Sequence, residues 1–251
     1  MPTNFVVHPE YQDQQDMLLG LLKNFDTAGE YVVKGERNAI KKFEVGDTVF
    51  NIKKFKTPNA FQSLVYRFLR KGKAKRSFEY AKKLEELGIG TPAPVAYFER
   101  FGFGLKESYY ISKHMEYDFD FRVLNHNPLW PNRKEILEQF AAFTFQMHEK
   151  GINFLDHSPG NTLICEAGNG NYNFYLIDLN RMRFEDMGFK KRMHNFRRLW
   201  LSKTMINIMS PVYAKLCGMS EDEVHHWMTY YSRNFQRKVN AKKLRRRRRR
   251  K

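Results

Sequence analysis

Residues 31–56, YVVKGERNAIKKFEVGDTVFNIKKFK, alternate apolar and polar positions in short runs broken at Gly35-Glu36-Arg37-Asn38 and Val45-Gly46-Asp47. The pattern predicts strands joined by tight turns. Thr57-Pro58-Asn59 opens a helix with Asn59 as its cap. Phe61, Leu64, Val65, Phe68 and Leu69 fall at helical spacing and give it an apolar stripe. A second helix runs from about Ala74 to Leu87, stopped by Gly88 and Thr91-Pro92, and residues 94–115 predict a hairpin turning near Gly102 to Gly104. Composition changes at 116–132, the crossover between two lobes. Asn132 and Glu135 have capping-box spacing and start a helix with Ile136, Phe140, Phe143 and Met147 on one face, ended by Gly151. Residues 162–178 predict a hairpin around Gly168-Asn169-Gly170-Asn171, and the chain from about Lys190 is helical and aromatic-rich. There are no internal repeats. A strand-rich half followed by a helical half predicts an α+β protein. The domains expected are 1–115, 116–236 and a disordered basic tail, 237–251.

Composition adds limits. With 42% hydrophobic and 15% aromatic residues in 251 positions, the chain has a substantial core and is not disordered as a whole. Cys165 and Cys217 lack paired spacing or a nearby His cluster, which argues against a disulfide framework and a zinc site and fits a reducing compartment. The first residues lack the basic-then-apolar order of a signal peptide, and no run reaches the roughly 18–20 apolar residues of a membrane span. The expected location is cytoplasmic. The net charge of +17 is uneven: eleven basic residues lie in 237–251, leaving about +6 elsewhere. Such a tail calls for an anionic surface, whether nucleic acid, acidic phospholipid or phosphorylated glycolipid.

The chemistry centres on 151–164, GINFLDHSPGNTLI. Asn161 precedes the outgoing strand of the 162–178 hairpin and Asp178 follows the returning one, so both side chains come back to one end. Asp156 lies a tight turn earlier. Two oxygen ligands and a further carboxylate suit a magnesium ion, which fills its other positions with water and phosphate, and a hydroxyl to be activated. On the strand before Thr57, alternation puts Asn51 and Lys53 on one side and Phe50, Ile52 and Lys54 on the other.

D-H-S-P-G-N resembles the kinase catalytic loop, and Ile177-Asp178-Leu179-Asn180 stands where D-F-G would. Val49-Phe50-Asn51-Ile52-Lys53 resembles the V-A-I-K strand. By that resemblance Asp156 orients and deprotonates the acceptor hydroxyl, and Asn161 and Asp178 hold metal. Lys53, favoured over Lys54, meets the ATP phosphates, with Glu79 as its partner ahead of Glu85 and Glu86 on the same helix. Within that superfamily the chain is most similar to the bacterial lipopolysaccharide kinases of the Kdo/WaaP type. The similarity lies in Gly35-Glu36-Arg37-Asn38 in place of a full glycine loop, in 72-GKAKRSFEYAKKLEELGIGTPAP-94, 147-MHEKGINFLDHSPGN-161 and 176-LIDLNRM-182. It implies a bilobal protein-kinase-like fold: a small antiparallel N-lobe sheet with a helix C, and a helical C-lobe. It also implies ATP and Mg²⁺ as cofactors, Gly35 and Asn38 among the ATP-binding residues, and an inner-core sugar of lipopolysaccharide, Kdo or heptose, as acceptor. Work at the inner face of the cytoplasmic membrane follows, with the tail on anionic lipid, nucleic acid disfavoured and no obligate protein partner.

Departures leave alternatives open. Phe154 stands at the loop histidine and Ser158 at the lysine that meets the transferring phosphate, so that cation is His157 or one from the basic cluster at 67–76. No G-x-G-x-x-G and no A-P-E are present, and the short segment after Asp178 favours a small or lipid-linked acceptor over a peptide. The helix from about Ala60 either packs its stripe on the first lobe, the favoured reading, or lies on a membrane surface. The alternative functions are a pseudokinase or basic scaffold that binds nucleotide or anionic lipid without turnover, and a kinase of another small-molecule or protein substrate.

Overall fold

The computed structural model describes residues 2–35, 38–68 and 70–249. Glu36 and Arg37 of the early turn, Leu69 of the apolar stripe and Arg250 of the arginine run lie outside the described residues, as does the side chain of Phe61. Two compact units divide the chain, Met1–Glu116 and Tyr117–Lys251.

The first unit contains β1 (Thr3–Val7), α1 (Gln15–Lys23), β2 (Glu30–Lys34), β3 (Asn38–Val45), β4 (Thr48–Phe55), α2 (Ala60–Phe68), α3 (Lys73–Glu86), β5 (Pro94–Phe101) and β6 (Leu105–Lys113). Its strands form an antiparallel sheet in the order β1-β5-β6-β4-β3-β2. Gly46 makes the tight β3–β4 turn possible by adopting φ +56°, a left-handed conformation costly for most L-residues. The sheet buries both faces. On one, Phe43, Phe50, Ile52, Tyr109 and Ile111 pack against Leu18, Leu22 and Phe25, and on the other Phe55 and Tyr97 pack against Ala74 and Phe78 of α3. The edge strand β1 and helix α1 were not anticipated, although Leu18 and Leu22 have helical spacing.

Two local expectations need correction. Asn59 does cap α2, its Oδ1 accepting from the Gln62 N–H at 2.9 Å. The face that packs, however, is centred on Ser63, whose hydroxyl donates to the Leu105 carbonyl at 2.8 Å, and Phe68 of the stripe is 69% exposed. Gly104 permits this close approach, because a Cβ there would overlap Ser63. Asn132 does not form a capping box. It sits at φ 53° with no side-chain cap, and its amide donates to the Tyr172 hydroxyl at 3.1 Å. Asparagine tolerates the left-handed region, and in that conformation its side chain is turned away from the helix amides.

The second unit contains β7 (Phe119–Asp120), α4 (Arg122–His126), α5 (Arg133–Glu149), β8 (Ile152–Phe154), β9 (Thr162–Gly168), β10 (Asn171–Leu176), β11 (Met182–Phe184), α6 (Phe189–Asn195), α7 (Lys203–Cys217) and α8 (Glu221–Arg248). Two small antiparallel sheets, β10-β9-β7 and β11-β8, sit among the helices. Phe121, Phe140, Ile164, Phe196, Met209, Tyr213 and Met228 form much of the core. Ser202 and Ser220 cap α7 and α8 by accepting from the Met205 and Glu223 N–H groups. The disordered-tail expectation is corrected here: α8 continues through residues 237–248. Ala, Leu, Lys and Arg extend a helix already nucleated at little cost, and arginines in its last turn face the negative end of the helix dipole.

Candidate active site

In the second unit, α5 ends where Gly151 takes φ +69°. A Cβ there would press on the Glu185 carbonyl, so the tight exit depends on glycine. The chain then enters β8, fully buried and paired with β11 through Ile152↔Phe184 and Phe154↔Met182. Its next turn is closed by Ser158 N–H donating to the Asp156 carbonyl at 2.7 Å and Asn161 N–H donating to the Ser158 carbonyl at 2.9 Å.

Three further bonds draw the sequence-predicted residues together. The Asn161 side-chain amide donates to the Asp156 carbonyl at 2.8 Å, the Ile177 N–H donates to the Asn161 carbonyl at 3.0 Å, and the Leu155 N–H donates to the Arg181 carbonyl at 2.9 Å. Asp156, Asn161 and Asp178 thus lie on one hydrogen-bonded pair of loops. Because the Asn161 nitrogen must face a carbonyl, its Oδ1 is the end left for a cation. Asp178 has φ +58°, one of four non-glycine residues with positive φ among those described, and its Oδ1 accepts from the Asn180 amide at 2.7 Å. Backbone strain of this kind concentrates where a side chain must be aimed.

Asn195 braces the loop from behind. Its amide nitrogen donates to Asn153 Oδ1 at 3.1 Å and to the Phe154 carbonyl at 3.0 Å, and its Oδ1 accepts from His157 Nδ1 at 2.9 Å. His157 is fully buried, stacks on Phe154 at 5.7 Å, and is pushed down to about 4 by burial. It stays neutral at pH 7 and is part of the core. The suggestion that it meets the transferring phosphate is therefore corrected. His148 is also buried, bonded to the Tyr213 hydroxyl at 2.8 Å, and burial pushes it down to about 3.

Asp156 is flanked by arginines. Arg198 Nη2 lies 2.6 Å from Oδ1 and Arg181 Nη1 lies 3.6 Å from Oδ2. Neither these arginines nor Asn195 was singled out from the sequence. The pair Arg197-Arg198 was visible, but nothing local marks which surface arginine folds back on which carboxylate.

In the first unit, Lys53 stands opposite Tyr110, which is opposite Tyr97, so all three share the sheet face covered by α3. Glu79 of α3 acts on the Tyr97 hydroxyl, pushed up to about 12 first by burial and then by Glu99 and Glu79. Lys53 and Glu79 therefore occupy the same face. The Glu79 carboxylate meets Lys71 at 2.8 Å and Lys75 at 3.9 Å. Lys54 lies on the opposite face and pairs with Asp26 at 2.8 Å. The Gly35 N–H donates to the Asn38 carbonyl at 3.2 Å, and Asn38 Oδ1 is buried without a partner among the described residues. A cavity of about 480 Å³, lined by Phe55, Asn59, Tyr66, Lys73 and Ser108 among others, opens beside α2 and does not include Lys53.

Among the described residues, no group of three or more His, Cys, Asp or Glu side chains could hold a metal, and no helix is long and apolar enough to cross a membrane. The curated proteins contain no match to this chain. Among solved structures, one described as "WaaP in complex with acyl carrier protein" superposes with a TM-score of 0.67 at 15% identity, covering 93% of this chain and 98% of that one, which shows a protein-kinase-like fold. The model of the "Lipopolysaccharide kinase (Kdo/WaaP) family" matches residues 34–246. The chain belongs to that family of kinases.

Proposed function

We propose that this protein transfers phosphate from ATP to a hydroxyl of an inner-core sugar of lipopolysaccharide, Kdo or heptose, with Asp156 aligning that hydroxyl and accepting its proton. The observation that carries the reading is the bonded pair of loops: Asn161 tied to Asp156 by its side chain and to Ile177, next to Asp178, by its backbone. Asn161 Oδ1 and the Asp178 carboxylate are hard oxygen donors, and one or two such ligands suffice for Mg²⁺ when the nucleotide supplies phosphate oxygens. Magnesium, when bound there, neutralises charge on the triphosphate. Lys53 bears on the phosphates, Glu79 steadies it, and Gly35 and Asn38 belong to the turn that covers them. Most of the rate enhancement in such a site comes from alignment and preorganised charge rather than from covalent chemistry.

The test is thermal unfolding with ATP, with and without Mg²⁺. A metal-dependent rise in Tm is expected in the wild type and its loss in Asp178→Ala. An equal rise in both proteins would remove Asp178 from the metal site.

The same reading puts the protein at the cytoplasmic membrane face. Its support is α8, whose last turn carries Arg245, Arg246, Arg247 and Arg248, each worth about 1 kcal/mol near an acidic leaflet. Salt-sensitive co-sedimentation with phosphatidylserine vesicles, reduced on truncation at residue 236, is expected. Salt-insensitive binding, or none, would contradict the tether.

A further inference from the structure

We propose that Arg181, Arg197 and Arg198 form an oxyanion-binding subsite that grips a carboxylate or phosphate on the acceptor, beside the hydroxyl that Asp156 aligns. The inference rests on the kinase reading above and adds what the acceptor must carry.

Charge balance is the first argument. The carboxylate of Asp156 is the only acid that ion-pairs with these three guanidiniums among the described residues, through Arg198 at 2.6 Å and Arg181 at 3.6 Å. Arg197 pairs with no acid among the described residues. Its Nη1 donates to the His194 carbonyl at 2.7 Å and lies 3.0 Å from the His194 ring nitrogen. Two positive charges are left over at the site. Burial, then the neighbouring Arg198 and Arg181, lower the Arg197 pKa, so the crowding is felt. Lys238 of α8 adds its field at His194.

An unfilled donor is the second argument. Arg198 Nε is buried and has no hydrogen-bond partner among the described residues, so the hydrogen-bonding capacity of this guanidinium is not fully used. Guanidinium forks match the paired oxygens of carboxylates and phosphates, and a neutral sugar hydroxyl satisfies them poorly.

Placement is the third. Arg181 is on the segment that follows Asp178 and is half exposed, with 53% of its side chain open, whereas Arg198 sits in the turn Phe196–Leu199. The two bracket Asp156, one on each oxygen. An arriving oxyanion competes for these guanidiniums and releases a carboxylate oxygen toward the acceptor hydroxyl. Charge recognition and alignment of Asp156 are thereby linked.

The test is calorimetric binding to the full chain without ATP or Mg²⁺, using free Kdo (a sugar acid), glucose 6-phosphate and glucose as probes. At least one anionic sugar is expected to bind and glucose is not. Binding by Kdo alone assigns a carboxylate, and binding by glucose 6-phosphate alone assigns a phosphate. Arg197→Gln is expected to weaken binding ~10-fold or more, the loss of one charge-assisted contact, with Arg197→Lys intermediate. Should Arg197→Gln fail to fold, Arg181→Gln carries the same expectation from a more exposed position. Equal binding of glucose, no binding of either anion to the wild type, or wild-type affinity in the folded variants would overturn the subsite. Nucleotide is absent throughout, so the result is independent of the ATP and Mg²⁺ test above.

Discussion

Asp156→Asn is expected to reduce kcat by roughly 10²–10⁴-fold, the range over which a positioned general base contributes. Asparagine keeps the size of the side chain but cannot take the hydroxyl proton, and it replaces a charged partner of Arg198 and Arg181 with a neutral one. The fold should survive. The Asp156 backbone carbonyl, not its carboxylate, receives the bonds from Ser158 and Asn161 that close the loop. Circular dichroism and Tm near wild type, together with lost turnover, are the expected pair of results. A folded variant with wild-type kcat would exclude Asp156 as the base.

The second large effect is acid lability. Both buried histidines have pKa values below the 6.5 of an ordinary imidazole, about 4 for His157 and about 3 for His148. The unfolded chain therefore binds protons between pH 6.5 and those values while the folded chain does not. Their contribution to stability is present in full above pH 6.5 and is lost as pH falls through that window. Each withdraws on the order of 1 kcal/mol per pH unit, which from pH 6.5 to 4.5 amounts to about 4 kcal/mol for the pair. That is a large share of the 5–15 kcal/mol typical of a folded protein. Urea midpoints should fall steadily from pH 6.5 to 5, and a flat profile would show that these imidazoles gain protons without unfolding. Asn195→Ala should lower the unfolding free energy even at pH 7.5, by about 3 kcal/mol, because His157, Asn153 and the Phe154 carbonyl lose a shared buried partner.

Local chemistry made much of this legible. The breaks at Gly46 and Gly168 to Asn171, the Asn59 cap and the glycine exit at Gly151 all depend on residues within a few positions of one another, and each lies where the pattern puts it. Alternation along β4 placed Lys53 and Lys54 on opposite faces, because Phe50 and Ile52 must both be buried. What escaped was decided by distant partners. The Ser63 face of α2 packs because Gly104 lets it approach. Asn132 turns to Tyr172, forty residues away, and the tail stays helical because α8 is already formed. Asn195 and Arg198 belong to the same class. Their roles arise from loops of the second unit meeting in space, and no periodicity in the sequence records such a meeting.

The decisive measurement is mass spectrometry of lipopolysaccharide incubated with the purified protein, ATP and Mg²⁺. The account expects one added phosphate on an inner-core sugar with the wild type and none with Asp156→Asn. Unmodified glycolipid in both reactions, or equal phosphate with both proteins, would contradict it.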